Sequence, residues 1–188
     1  ELANLKQLYK EAEEQYQEKV SKLNEYKNKQ ESAEESEKLI KQELIQTNMY
    51  LGKTEVQGEG IIIRIKDINQ QTGDIENIDP ITSEDLLIIV DYLRLAGAEA
   101  ISINEERIIN MSEIVDVSNY IIFVNQQRIL EPYVIKAIGN ASTLESTLLG
   151  NGGYVEELRK YGFDVEILRD SNVVIPKYDG EIKHSYIQ

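Results

Sequence analysis

The densest group of possible ligands in this 188-residue chain is Asp67, Asp74, Glu76 and Asp79, four carboxylates that follow a β-branched run. Calcium and magnesium take several carboxylate oxygens, so a hard cation would sit here. The spacing matches no EF-hand loop, and acidic surface loops are routine in a chain this negative, so a solvated loop is the stronger reading. Gly150-Asn151-Gly152-Gly153 stands before a helix-forming stretch and could turn backbone N–H groups toward an anion. No Lys-Ser/Thr pair follows it, and G-x-G-x-x-G spacing is absent, which favours a joint between two helices. Those glycines and the acidic loop 67–79 make up the rival reading, a small-ligand or nucleotide-binding domain.

Glu105, Glu106 and Arg107 offer an acid, a base and an anion holder. Carboxylates do catalysis when burial shifts their pKa values, and nothing in the sequence signals burial there. Tyr133 and Lys136 could line a cleft, although Tyr133 also reads as a core-packing residue of a strand. Cysteine is absent, which excludes a thiolate nucleophile and a zinc ribbon; the one histidine, His184, sits four residues from the C-terminus, so neither a Ser-His-Asp triad nor a multi-histidine metal site is expected. The expectation is a non-enzyme with no metal and no cofactor.

Two kinds of element must position these groups. All eleven glycines and all three prolines lie at or after Gly52, and residues 1–51 are rich in Glu, Lys, Gln, Leu and Tyr. Alternate steps of three and four through that segment meet Leu2, Leu5, Tyr9, Ala12, Tyr16, Leu23, Tyr26, Ala33, Ile40, Leu44 and Leu51, with Lys19, Gln30, Glu37 and Thr47 as polar interruptions. A 3.5-residue repeat held over about seven heptads reads as a coiled coil, and self-association is the expected outcome. Residues 30–38 are its weakest stretch, where the helix is expected to fray or break. The sense of pairing stays open.

From Gly52 the texture changes to short apolar runs divided by turns. A strand is expected over 59–67, then a loop over 68–80. A helix capped by Thr82 or Ser83 follows, with Leu86, Leu87, Ile89, Val90, Leu93 and Leu95 inward and Gly97 as its stop. Strands are expected at 98–103, 108–109, 120–124 and 133–138, with four-residue turns at Asn104–Arg107 and Asn125–Arg128. Helices at 142–149 and 154–161, then strands at 165–168 and 173–175, complete the chain. The fold class is α+β, a mixed sheet with helices on one face and of split-βαβ or ferredoxin-like character, preceded by a long N-terminal coiled-coil helix. The division is a stalk over 1–51 and a globular domain over 52–188.

Charge assigns the acidity unevenly. The net of −14 comes from 11 acidic and 8 basic residues over 1–50, against 23 and 12 beyond, so the globular part repels anionic polymers and nucleic acid is not an expected partner. No apolar run approaches the roughly 18 residues that span a bilayer. A chain that opens on Glu1 leaves room for a preceding targeting segment.

Several separated motifs are similar to one family. Ala96-Gly97-Ala98-Glu99-Ala100-Ile101-Ser102-Ile103-Asn104 with Arg107-Ile108, Ile122-Phe123-Val124-Asn125, Pro132-Tyr133-Val134-Ile135-Lys136-Ala137-Ile138-Gly139, Gly152-Gly153 and Tyr161-Gly162 resemble the bacterial family of unknown function that contains the YlxW and YlxX proteins, often labelled division initiation proteins. The resemblance covers roughly residues 50–178. It implies a membrane helix ahead of the coiled coil and an α/β domain outside the membrane. Two departures stand out: Gly58-Glu59-Gly60 where the family often has Gly-Pro-Gly, and Glu105 and Gln126 where it often has Gly after the hairpin Asn. The resemblance brings no catalytic residues.

The resulting expectation is a protein-interaction module of the bacterial cell envelope, anchored through a segment absent from this chain, on the extracytoplasmic side of the membrane. Its expected partner is a protein. Asn104, Arg107, Asn125, Arg128, Tyr133 and Lys136 are the candidate contact residues, chosen for exposure-prone positions.

Overall fold

The computed structural model describes residues 2–67, 80–118, 121–150 and 152–182; within the first helix it describes the side chains of 17–24, 27 and 32–50. The chain divides into two compact units, Glu1–Thr47 and Asn48–Gln188.

Leu2–Tyr50 is one α-helix, α1, with no glycine or proline to interrupt it. The stretch over 30–38, where a break was expected, is continuous helix. Ser36 donates to the Ser32 carbonyl at 2.8 Å, and one-turn ion pairs Lys22–Glu18 (2.7 Å) and Lys41–Glu37 (2.6 Å) line its surface. Seam residues Leu23, Ile40 and Leu44 are 54%, 64% and 58% exposed, and Ala33 is exposed too. Nothing in the single chain covers them. The side chains of Leu2, Leu5, Tyr9, Ala12, Tyr16 and Tyr26 lie outside the described residues.

The second unit is α+β. Its elements run β1 (Val56–Asp67), α2 (Ser83–Leu95), β2 (Ala100–Ile103), β3 (Glu106–Ile108), β4 (Ile114–Ser118), β5 (Ile121–Val124), β6 (Gln127–Ile129), β7 (Tyr133–Ile138), α3 (Ala141–Leu149), α4 (Tyr154–Lys160) and β8 (Phe163–Ile175). Five strands pair in the order β3-β2-β7-β1-β8, and β4-β5-β6 form a separate small sheet. Every pairing is antiparallel, which corrects the expected mixed sheet. Helical crossovers do make β1 parallel to β2 and β7 parallel to β8, but each pair is split by a strand running the other way. That is the split-βαβ arrangement.

Local chemistry sets the boundaries. Thr82 caps α2 in a reciprocal capping box with Asp85, while Ser83 donates its backbone N–H and its hydroxyl to Asp116. Gly97, at φ +85°, closes α2 as expected. Leu86, Ile89, Val90 and Leu93 point into the core, but Leu87 and Leu95 do not; Leu95 is 85% exposed, because 13 helical residues present only one buried stripe. The strands expected at 165–168 and 173–175 are one strand, β8, that pairs with the whole of β1 around an irregularity at Gly58/Gly60. Gly60 is required there: a Cβ would stand 1.9 Å from the Ala137 carbonyl oxygen. Strands β4 and β6 were not anticipated: β6 is three residues, two of them polar, and β4 exposes four of its five residues, so neither shows the period of a half-buried strand.

Ile61, Ile63 and Ile65 of β1, with Ile135 and Ala137 of β7, meet α2, α3 and α4 in the main core. The opposite sheet face holds a smaller cluster of Ala100, Ile138, Val173 and Ile175, with Val56 and Ile62 packed on it.

Candidate functional site

The two Asn-x-x-Arg segments fold as two-residue hairpin turns rather than four-residue ones. Asn104 and Glu105 have φ of 45° and 68°, and Asn125 and Gln126 have 50° and 68°, the left-handed pair of a type I′ turn. Glu105 and Gln126 therefore adopt a conformation in which a non-glycine side chain costs about 1 kcal/mol or more. Shortening each turn places Arg107 in β3 and Arg128 in β6, paired with Ser102 and Phe123 respectively.

The asparagines act as backbone clamps. Val134 N–H donates to Asn104 Oδ1 at 2.7 Å, and Asn104 Nδ2 donates to the Leu130 carbonyl at 2.7 Å. Asn125 Nδ2 donates to the Arg107 carbonyl at 2.8 Å, so one hairpin's turn holds the other's strand. Both asparagines are half-buried.

The other candidates separate. Tyr133 packs in the main core on the helix side, and burial, then Glu131 and Asp116, push its phenol up to about 12. Lys136 lies on the opposite face, half-buried, paired with the Glu105 carboxylate. Arg128 is exposed. Arg107 is only 6% exposed, which corrects the expectation of an accessible turn residue. The choice by exposure thus fits Arg128 best, and Arg107 and Tyr133 not at all.

Across the helix-free face, Arg107, Ser102 and Lys136 stand in one register row on β3, β2 and β7. The Ser102 hydroxyl is buried without a hydrogen-bond partner among the described residues. The Arg107 guanidinium reaches past this row to the Pro176 carbonyl at 3.3 Å and the Thr54 carbonyl at 3.5 Å. No ion pair to a carboxylate is found for it among the described residues, and burial lowers its pKa. A buried guanidinium held only by two long bonds to carbonyls is a costly arrangement.

Arg107 also walls a groove of about 600 Å³ with Leu51, Arg94, Ile101, Ile109 and Met111. Gly52 and Ile182, from the two ends of the unit, line it too. Next to Gly52 those ends are tied together: the Tyr178 N–H donates to the Gly52 carbonyl at 2.7 Å, and Lys53 donates to the Gly180 carbonyl while its ammonium lies 5.0 Å from the Tyr178 ring centroid. Two arginines and apolar walls suit an anion with an apolar body; the exposed Glu99 carboxylate lines the same groove. Arg94 and Met111 were not singled out by sequence, and Leu51 was assigned to the coiled-coil seam, because only tertiary packing brings these distant segments together.

The glycine segment is a helix joint. Gly153 N–H donates to the Gly150 carbonyl at 2.6 Å, and a Cβ on Gly153 would stand 2.2 Å from the Leu148 carbonyl oxygen. Asn151 lies outside the described residues, as does the acidic loop over 68–79. Among the described residues, no three His, Cys, Asp or Glu side chains group as a metal site, and no helix is long and apolar enough to cross a membrane.

The family described as "Bacterial protein of unknown function (DUF881)" matches residues 43–188. The chain is 26% identical over 126 residues to the UPF0749 protein YlxW of Bacillus subtilis (strain 168), covering 66% of this chain and 54% of that protein. It therefore spans about half the length of that relative. A crystal structure of an uncharacterized conserved protein from Mycobacterium tuberculosis superposes with a TM-score of 0.64 at 25% identity, covering 78% of this chain and 98% of the other.

Proposed function

This chain belongs to the DUF881 family of bacterial proteins of unknown function, and from that membership we propose a non-enzymatic interaction module of the cell envelope. In this reading α1 pairs with another helix as a coiled-coil stalk, and the α+β unit presents a surface to a protein partner outside the membrane, in a division-related role. The observation that carries it is the apolar stripe of α1, with Leu23, Ile40 and Leu44 all more than half exposed along a 3.5-residue repeat. A stripe of that period has no use in a lone helix. The envelope location draws on the family resemblance, which implies a membrane segment ahead of the coil.

Sedimentation of the 188-residue chain over micromolar concentrations tests the stalk. A concentration-dependent mass above the monomer is expected, and a monomer throughout overturns it. Protease accessibility of the full-length gene product in cells stripped of their wall tests the location. Digestion of the α+β unit is expected, and its complete protection would sink the envelope reading. For the partner surface, Arg128→Ala and Lys136→Ala are the accessible substitutions; a set of captured partners unchanged by both removes those residues from it.

A second reading is favoured by Arg107 and its groove rather than by the glycine joint: binding of a small carboxylate or phosphate compound with an apolar body. A ligand that binds only the native state raises the melting temperature. No shift with a panel of nucleotides and acyl carboxylates removes this reading.

A further inference from the structure

Polar residues inside a coiled-coil seam fix register and orientation, and α1 carries two of opposite sign, Lys19 and Glu37. In a parallel homodimer each residue faces its own copy. Lys19 would meet Lys19 and Glu37 would meet Glu37, while Ala12 and Ala33 would form two underfilled layers and Tyr9, Tyr16 and Tyr26 three overfilled ones. Reversing one helix so that the two residue numbers in each layer add to 56 changes all of this. Lys19 then faces Glu37, Leu23 faces Ala33, Ala12 faces Leu44, Tyr16 faces Ile40 and Tyr26 faces Gln30. Each alanine meets a leucine, the two charges meet their opposites, and nearly the whole helix overlaps. Sliding the partner by one heptad in either direction places Lys19 against Gln30 or Leu44 and loses the match.

We propose that the partner of α1 is a second copy of the same helix, antiparallel, in the register that sets Lys19 of one chain against Glu37 of the other. This rests on the proposed self-association and adds its geometry. The structure is compatible at the residues it describes. Lys19, Leu23, Ala33, Glu37, Ile40 and Leu44 are all exposed on an unbroken helix. Glu37 Oε1 accepts from Lys41 on its own helix at 2.6 Å, and a carboxylate's second oxygen can accept from the Lys19 of a second copy. At about 1.5 Å per residue, the two copies of residue 50 lie about 65 Å apart along the axis. The pair then sets the spacing between two α+β units.

The chain has no cysteine, so engineered thiols report the orientation without background. Leu23→Cys and Ala33→Cys are prepared separately and oxidised alone and as a mixture. In the proposed register the two copies of position 23 are about 15 Å apart along the axis, beyond disulfide reach, so neither variant alone cross-links and the mixture yields the 23–33 species. Cross-linking of each variant with itself overturns the orientation and leaves the self-association standing. A monomeric wild-type chain in sedimentation overturns the self-association, and the orientation with it. Charge exchange is the second arm: Lys19→Glu is expected to weaken dimerisation about tenfold or more, and Lys19→Glu/Glu37→Lys to restore it to within a few-fold. A double variant as weak as the single one overturns the register.

Discussion

Helices α1 and α2 come from one chain and differ in what covers them. In α2, 13 residues bury Leu86, Ile89, Val90 and Leu93 against the sheet and carry a capping box at one end and a glycine stop at the other. In α1, 49 residues bury none of the seam residues described. A helix in water gains most of its stability from packing an apolar face. The 3.6-residue stripe of α2 is completed inside the chain, whereas the 3.5-residue stripe of α1 stays exposed in it. In the proposed reading that difference in period separates a folding surface from an assembly surface.

That contrast can be broken by separating the two stabilities. Ile63→Ala, at a fully buried position of β1, is expected to cost the α+β unit about 4 kcal/mol and to lower its melting temperature, with the sedimenting mass unchanged. Loss of assembly in that variant would show that the units depend on each other. Ile40→Asp, on the exposed stripe, is expected to act the other way: dimerisation weakens by about 3 kcal/mol and the unit's melting temperature holds. A fall in that melting temperature would make Ile40 part of the unit's own stability.

Alkaline titration sharpens the same division, because Tyr133 belongs to the core of one unit. Its phenol is neutral when folded, with a pKa raised to about 12 from the ordinary 10. The stabilisation is complete below pH 10 and disappears as the pH climbs toward 12, a loss of about 2 kcal/mol in urea titrations. Tyr133→Phe should remove that slope; a slope that survives belongs to another group, Tyr154 foremost, whose phenol burial and its bond to Asp85 also raise. The smallest effects are gains. Glu105→Gly and Gln126→Gly relieve left-handed backbone and are each expected to add about 1 kcal/mol to the α+β unit alone. No gain would mean that the Glu105–Lys136 pair, in the first case, offsets the strain.

Much of the fold was legible. The absence of glycine and proline before residue 52 marked the long helix, Gly97 and Gly162 marked helix ends, and β-branched runs marked β1, β2 and β7. What failed has a common cause. The four-residue turns were read as exposed because charged residues favour water, yet a type I′ turn uses only two residues and carries Arg107 into the sheet. The mixed sheet was inferred from helical crossovers, and sequence does not show which strand fills the gap a crossover leaves. Among the candidate contact residues, Asn104 and Asn125 hold neighbouring backbone, a role that no local pattern displays.

Sequence by itself determined the features that depend on neighbours along the chain: helix caps, turn positions, and the 3.5-residue repeat along α1. Those rest on local sterics and on periods of two, 3.5 and 3.6 residues, which any short window displays. Tertiary structure alone decided the antiparallel order of the sheet, the burial of Arg107 and the groove beside it. These join Gly52, Arg107 and Pro176, segments more than fifty residues apart, and such contacts are set by how whole elements pack rather than by any pattern within one of them.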